Sequence, residues 1–285
     1  MIIDKVKKLC AYYRRHPMSL ALRALTVLAT ALTMLTMVFL ITYVLVKGVP
    51  YLKPELFALH YTSENVSMLP SIANTLILVA GALLLAVPLG IFSAIYLVEY
   101  ASRGNRLVGI VRITAETLSG IPSIVFGLFG MLCFVTFFHF GYSLLAGIFT
   151  VTLMILPLIM RTTEEALKAV PDMYREGSFG LGAGKLRTVF RIVLPSAVPG
   201  ILAGIILAIG RVVGETAALV YTAGTVAEFP RSILSSGRTL SVHMFELSHE
   251  GLHTDQAYAT AVVLLVVVLI INALSAKLAS KIVKM

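Results

Sequence analysis

Apolar positions in this chain run in long uncharged blocks, not in the period-two alternation of a half-buried strand. The first block, Ala24 to Val46, holds 23 residues without a charge, and the second, Asn65 to Val98, holds 34. A hydrocarbon layer about 30 Å thick takes roughly 20 apolar residues of helix, so each block predicts one membrane span. The third block, Thr117 to Met160, has 44 uncharged residues, enough for two. Within it, His139, Gly141 and Ser143 of the stretch FFHFGYSLL predict a tight turn between spans three and four. A fifth span is expected over Ala197 to Gly224 and a sixth over Ala257 to Ala276. The predicted fold class is therefore all-α, a polytopic membrane protein of six transmembrane helices.

Composition agrees: 58% of the residues are hydrophobic, 13% are charged and mean hydropathy is +0.94, against about 25% charged in soluble domains. The net charge of +9 would suit nucleic acid if the basic residues formed one patch, but they follow the loops. The N-terminal segment carries Lys5, Lys7, Lys8, Arg14, Arg15 and Arg23, and the loop after span two carries Arg103, Arg106 and Arg112. Six more lie between Arg161 and Arg191, and Lys277, Lys281 and Lys284 close the chain. The alternate loops hold only Lys47, Lys53, Arg231 and Arg238. By the positive-inside rule both termini face the cytoplasm, and the charge is topological, with the lipid bilayer as partner and no nucleic acid.

The expected organisation is a cytoplasmic N-terminal segment (1–23), a first transmembrane helix (24–46), a core of five transmembrane helices (65–276) that includes a cytoplasmic loop (161–195), and a cytoplasmic tail (277–285). The first apolar block is too long for a secretory signal and lacks a small-x-small cleavage pattern, so it is expected to stay as an anchor. Cys10 and Cys133 fall in a tail and a span, and no disulfide is implied.

The largest cytoplasmic feature is the loop from Arg161 to Pro195, RTTEEALKAVPDMYREGSFGLGAGKLRTVFRIVLP, with six basic and four acidic positions in 35 residues. Glu164 and Lys168 are spaced i,i+4 and suit a helix continuing out of the membrane. Pro171 interrupts it and can open a second helix; Gly180, Gly182 and Gly184 demand a bend, and a further helical stretch runs until Pro195 halts it. The expected product is a helix, a turn and a helix.

Within this loop stand Glu176, Gly177 and Ser178, three residues, Gly182, nine residues, Ile192, one residue, then Leu194 and Pro195. This spacing resembles the EAA loop of ABC importer permeases, with Gly177 and Ser178 replacing two alanines. The resemblance implies a type I ABC importer permease fold, in which these residues form a coupling helix that docks on a cytoplasmic ATPase. The substituted glycine costs the helix about 1 kcal/mol against alanine but leaves the hinge and the Leu-Pro end intact. A loop that merely satisfies the positive-inside rule would not need this spacing. A phosphate-binding loop requires G-x4-G-K-[ST]. The nearest candidate, Gly184-Lys185, has Phe179 in place of the first glycine and Leu186 in place of the hydroxyl. The chain is therefore expected to be no enzyme, with no catalytic residue, metal or cofactor of its own; ATP and Mg2+ belong to a partner ATPase.

Span five contains IGRVVGETAALVYTAG, with Arg211 and Glu215 inside an apolar run. At 1.5 Å rise per residue, Arg211 lies roughly 21 Å past Ala197, beyond the midplane. An arginine at the centre of a membrane helix costs an estimated 2.5 to 3.5 kcal/mol on insertion scales. The i,i+4 spacing predicts that Arg211 and Glu215 share one helical face. Two readings follow: a neutralised pair that fixes packing, or the wall of a wet path for an anion, with Glu215 holding Arg211 or gating it. Arginine suits an oxyanion because its planar fork donates two hydrogen bonds.

GRVVGETAALVYTAG resembles the fifth-helix signature of phosphate-specific ABC permeases of the PstA and PstC type. LSGIPSIVFGLFG, Leu118 to Gly130, resembles the start of their third helix, and AVPLGIFSAIYLVEYA, Ala86 to Ala101, the end of their second. The resemblance runs from about Ser71 to Ala276 and favours the PstA-like subunit. It implies a PstC-like permease as heterodimer partner, two copies of a PstB-like ATPase, an external PstS-like phosphate-binding protein and a bacterial cytoplasmic membrane. It also places Arg211 and Glu215 at the translocation positions and Glu176, Gly177, Ser178, Gly182, Ile192, Leu194 and Pro195 at the coupling positions. An importer for sulfate, molybdate or phosphonate would share the loop and is the alternative.

Two rivals come from other classes. HEGLH, His249 to His253, matches the H-E-x-x-H zinc pattern of a membrane metalloprotease, which requires one regular helix; Gly251 weakens it. A passive anion channel would explain the charges of span five but leave the loop spacing unexplained. Gly120, Gly127 and Gly130 are expected to be close-packing positions, and Asn65-Val66-Ser67 fits a glycosylation pattern that has no meaning in a bacterial protein.

Overall fold

The structure, a computed structural model, describes residues 17–102 and 104–283. Lys5, Lys7, Lys8, Cys10, Arg14, Arg15, Arg103 and Lys284 of the sequence reading lie outside the described residues. Among the described residues the secondary structure is helical: α1 (Pro17–Gly48), α2 (Leu69–Ile95), α3 (Arg106–Ser119), α4 (Ser123–Gly130), α5 (Leu144–Lys168), α6 (Asp172–Gly180), α7 (Lys185–Thr188), α8 (Leu194–Val213), α9 (Ala217–Val220), α10 (Leu240–Glu250) and α11 (Thr254–Val283). Single π-helical stretches extend α2 (Tyr96–Tyr100) and α4 (Met131–Phe137) and join α7 to α8 (Val189–Val193). Among the described residues five helices are long and apolar enough to cross a membrane, or six if a pair bent by 104° counts as one span.

That bent pair is α3 with α4, and it replaces the straight third span expected from the sequence. The break falls at Gly120-Ile121-Pro122. Gly120 caps α3, and Pro122 disfavours helical backbone at Ile121. Gly120 is therefore an elbow and not a packing position; a side chain there would meet only the Thr117 carbonyl, 3.5 Å away. Gly127 and Gly130 do pack as expected: a Cβ on Gly127 would lie 2.8 Å from the Ala218 backbone, and one on Gly130 would collide with Thr150 and Thr222. The turn before α5 also forms, with His139 and Gly141 at positive φ and the Ser143 hydroxyl accepting from the Ala146 N–H.

α5 is the central helix. In its apolar window 67% of the residues are buried, against none in α1, because α2, α4, α8 and α9 pack around it while α1 packs mainly along α11. One apolar core joins Leu78 of α2, Ile155 and Ile159 of α5, Val212 of α8 and Leu219 of α9. A second, at the end where the long loop emerges, joins Ile95 and Leu97 to Met160, Leu167, Val189, Val193 and Ile201. A third lies at the opposite end around Leu56, Met68, Leu240 and Leu247.

The loop between α5 and α8 folds as a helix, a turn and a helix. Pro171 opens α6, Gly182 turns the chain at φ +79° and Gly184 precedes α7. Pro195 does not halt the following helix, as the sequence suggested. Helix continues from Lys185 to Val213, because the π-helical stretch Val189–Val193 re-spaces the backbone bonds just where the proline lacks its N–H. Pro195 then stands in the first turn of α8, where a missing donor costs nothing.

Candidate translocation and coupling site

Span five is not one helix to Gly224. α8 ends at Val213 with Gly214 as its cap, and after Thr216 the chain forms only the single turn α9. Arg211 sits in the last turn of α8, where the helix dipole favours a cation. Glu215 lies beyond the helix end. The expectation that the two charges share a helical face fails, because i,i+4 neighbours meet only along a continuous helix. No ion pair joins them among the described residues.

Glu215 has other partners. Its carboxylate oxygen accepts from the Ala218 N–H at 3.0 Å, and its carbonyl accepts from the Ser241 hydroxyl at 2.6 Å. The residue is buried, so it fastens the break between α8 and α9 to the first turn of α10. Arg211, half-buried, makes no ion pair or hydrogen bond among the described residues. It lines an open cavity of about 560 Å3 with Leu158, Ala203, Ile206, Leu207, Gly210 and Asn272. Asn272, on α11, has a buried side-chain oxygen without a hydrogen-bond partner among the described residues. The sequence reading missed it; the sign was a lone amide inside the sixth apolar block. The arrangement offers a guanidinium fork with no partner among the described residues on an otherwise apolar wall, and such a fork suits an oxyanion; Asn272 can add a donor only through its amide NH2.

The positions expected to take part in coupling lie on the loop. Glu176 and Gly177 are exposed on α6, Gly182 is exposed at the turn, Ile192 and Leu194 are half-buried at the start of the long helix, and Pro195 is exposed. Ser178 is buried and shares a hydrogen bond of 2.8 Å with Thr188, which closes α6 onto α7. Large apolar side chains face outward here: Met173, Tyr174, Phe179, Leu181 and Leu186, with Leu181 91% exposed. An exposed apolar patch of this kind marks an interaction surface.

Behind this patch the long-range partners of two charged residues were not foreseen. Glu164 is held between Arg112 at 2.7 Å and Lys168 at 2.6 Å, which ties the amphipathic α3 to α5. Arg175 of α6 reaches Glu99 at 2.7 Å. The i,i+4 pair of Glu164 and Lys168 was legible, whereas Arg112 and Glu99 come from distant segments. The HEGLH pattern is divided by structure: α10 ends at Glu250 and Gly251 adopts left-handed backbone, so His249 and His253 are not on one helix.

Long apolar helices around a central span, a broken fifth span and a helical loop with an apolar face define a multi-pass membrane permease subunit. Residues 86–284 match the family described as binding-protein-dependent transport system inner membrane component, and the chain belongs to that family. It is 32% identical over 263 residues to the probable ABC transporter permease protein YqgI of Bacillus subtilis, covering 86% of this chain and 89% of that one. It is 34% identical over 260 residues to the phosphate transport system permease protein PstA of Yersinia pestis, covering 87% of this chain and 88% of that one. A bacterial alginate ABC transporter solved with its pentasaccharide-bound periplasmic protein has the same fold, with a TM-score of 0.68 at 16% identity over 96% of this chain and 98% of that one. The chain thus has the type I ABC importer permease fold.

Proposed function

We propose that this chain is one of two permease subunits of an ATP-driven importer for inorganic phosphate. It lies in the bacterial cytoplasmic membrane with both termini inside. The observation that carries the reading is Arg211, a guanidinium without a partner among the described residues, lining an open cavity at the broken fifth span. Moving a bare anion into a dry membrane costs on the order of 20 kcal/mol per charge by an idealised Born calculation, so a path for phosphate needs such donors. Similarity to phosphate permeases names the anion. A second, PstC-like permease would close the open side of the cavity, and an external PstS-like binding protein would deliver phosphate to it.

Two copies of a PstB-like ATPase would bind ATP and Mg2+ and dock on the apolar face of α6 and the turn at Gly182. Alternating access would follow as the ATPase pair closes and rocks the helices. The test is uptake of labelled phosphate by cells whose only such importer contains this chain, with sulfate, molybdate and phosphonate as competitors. Saturable uptake blocked by phosphate alone supports the reading. Uptake suppressed equally by sulfate or molybdate assigns the chain to another oxyanion.

A further inference from the structure

Arg175 uses every donor it has. An arginine carries five N–H groups, and five hydrogen bonds leave this one. Nε and Nη2 donate to Glu99 Oε1 at 3.1 and 2.7 Å. Nη2 also donates to the Leu167 carbonyl at 2.9 Å, and Nη1 to the Val170 carbonyl at 2.8 Å and to Asp172 at 3.2 Å. Glu99 and Arg175 are largely shielded, with side chains 8% and 15% exposed, whereas Asp172 is 84% exposed. One side chain thereby fastens the first turn of α6 to the end of α5 and to the end of α2.

The attachment to α2 is doubled. Lys185, which opens α7 on the other side of the Gly182 turn, places its ammonium 5.1 Å from the centre of the Tyr100 ring. Glu99 and Tyr100 both belong to the π-helical stretch Tyr96–Tyr100 that ends α2. Both arms of the loop therefore grip one short stretch of widened helix, and such stretches are frequent at functional sites. Within α6 itself only Ser178 is buried, so the helix has little apolar packing by which to push on the membrane helices.

α2 carries the attachment across the molecule. Near its far end, Asn74 donates to the carbonyls of Glu228 and Arg238, each at 3.2 Å, in the segment between α9 and α10. From Asn74 to Glu99 the helix extends roughly 37 Å at 1.5 Å per residue.

We propose that Arg175 is a positioning residue for coupling, and that its bond to Glu99 carries movement of the docked α6 into α2 and along it to the opposite end of the permease. This rests on the proposed docking of an ATPase at α6. Glu99→Gln keeps the volume and removes the charge that holds the guanidinium; Arg175→Lys keeps the charge and removes the fork.

The experiment uses the complete importer in vesicles and measures phosphate delivered per ATP hydrolysed, together with the stimulation of ATP hydrolysis by phosphate-loaded binding protein. In parallel, a cysteine replacing Gly182 is crosslinked to the ATPase. Both variants are expected to keep the crosslink while phosphate per ATP falls about tenfold, within the usual range of coupling between sites, and stimulation is lost. Cysteines at both positions (Glu99→Cys with Arg175→Cys, in a chain also carrying Cys10→Ser and Cys133→Ser), joined by a short bifunctional thiol reagent, are expected to restore the ratio. An unchanged ratio in the two single variants, with the crosslink intact, overturns the proposal and leaves docking standing. Absence of the crosslink in the otherwise unaltered chain overturns docking itself. Should Glu99→Gln fail to assemble, Arg175→Lys decides alone, and a parental ratio in it overturns the proposal.

Discussion

Arg211 and Glu215 are four residues apart in sequence and do not pair: the first sits in the last turn of α8 and lines a cavity, while the second is buried beyond the helix end with its carboxylate on the Ala218 N–H. Their roles separate accordingly. Arg211 has no hydrogen bond or ion pair to lose among the described residues, so Arg211→Gln is expected to leave membrane abundance unchanged. Phosphate uptake is expected to fall by about a hundredfold, the loss on removing one charged contact worth roughly 3 kcal/mol. Uptake at the parental rate, with abundance checked, would remove Arg211 from the path.

Glu215 behaves as a fastening. Glu215→Gln keeps an acceptor for Ala218 and is expected to retain most of the assembled protein. Glu215→Ala leaves that buried N–H unsatisfied, at about 1 to 3 kcal/mol, and is expected to lower the unfolding temperature and the yield of complex. A Glu215→Gln protein that is fully assembled yet inactive would assign the carboxylate's charge a direct part in transport.

The tip of the loop offers a separate test of docking. Leu181 is the most exposed of the large apolar side chains there, so Leu181→Asp costs the fold little. If this face binds the ATPase, co-purification of the ATPase is expected to weaken by about tenfold or more, as when a central apolar contact of an interface is lost. The solubilised permease should unfold at its parental temperature.

The glycines of the third span are expected to divide. Gly130→Ala forces a methyl group against Thr150 and Thr222, an overpacking worth about 1 to 3 kcal/mol, and should reduce thermal stability. Gly120→Ala has room, and its φ of −87° suits any residue, so no loss is expected. Equal effects in both, read as unfolding temperatures in detergent, would contradict the packing described.

His243 makes a pH prediction. The side chain is fully buried, edge-on to Tyr61. Burial first, and then the nearby Arg238 charge, lower its pKa from 6.5 to about 3, with the Val66 backbone pulling the other way. Above pH 6.5 the imidazole is neutral in folded and unfolded chains and stability does not depend on it. Between 6.5 and 3 the unfolded chain binds a proton that the folded chain refuses, so stability falls with pH by up to about 1.4 kcal/mol per unit. His243→Leu is expected to flatten the decline in unfolding temperature between pH 7 and 5. An identical decline in both proteins would place the acid sensitivity elsewhere.

Much of the molecule was legible in one dimension. Apolar blocks of 23, 34 and 44 residues predict spans because hydrocarbon thickness demands a minimum length, which is a property of each segment alone. The turn at His139 to Ser143 and the helix, turn and helix of the loop follow from glycine and proline chemistry, which is equally local. Arg211 stood out for the same reason, since a charge in an apolar block is visible without any neighbour. Tertiary structure decided what depends on distant partners or on competition between local preferences. The bend at Gly120 to Pro122, the helix running through Pro195 and the stop at Val213 each turn on how the backbone bonds of a few residues are re-spaced, and the apolar count is indifferent to that. Glu215 became a buried fastening because Ser241, 26 positions on, lies beside it, and Arg175 found Glu99 across 76. Hydrophobic length chose the spans; the contacts that give each charge its task exist only once the helices are packed together.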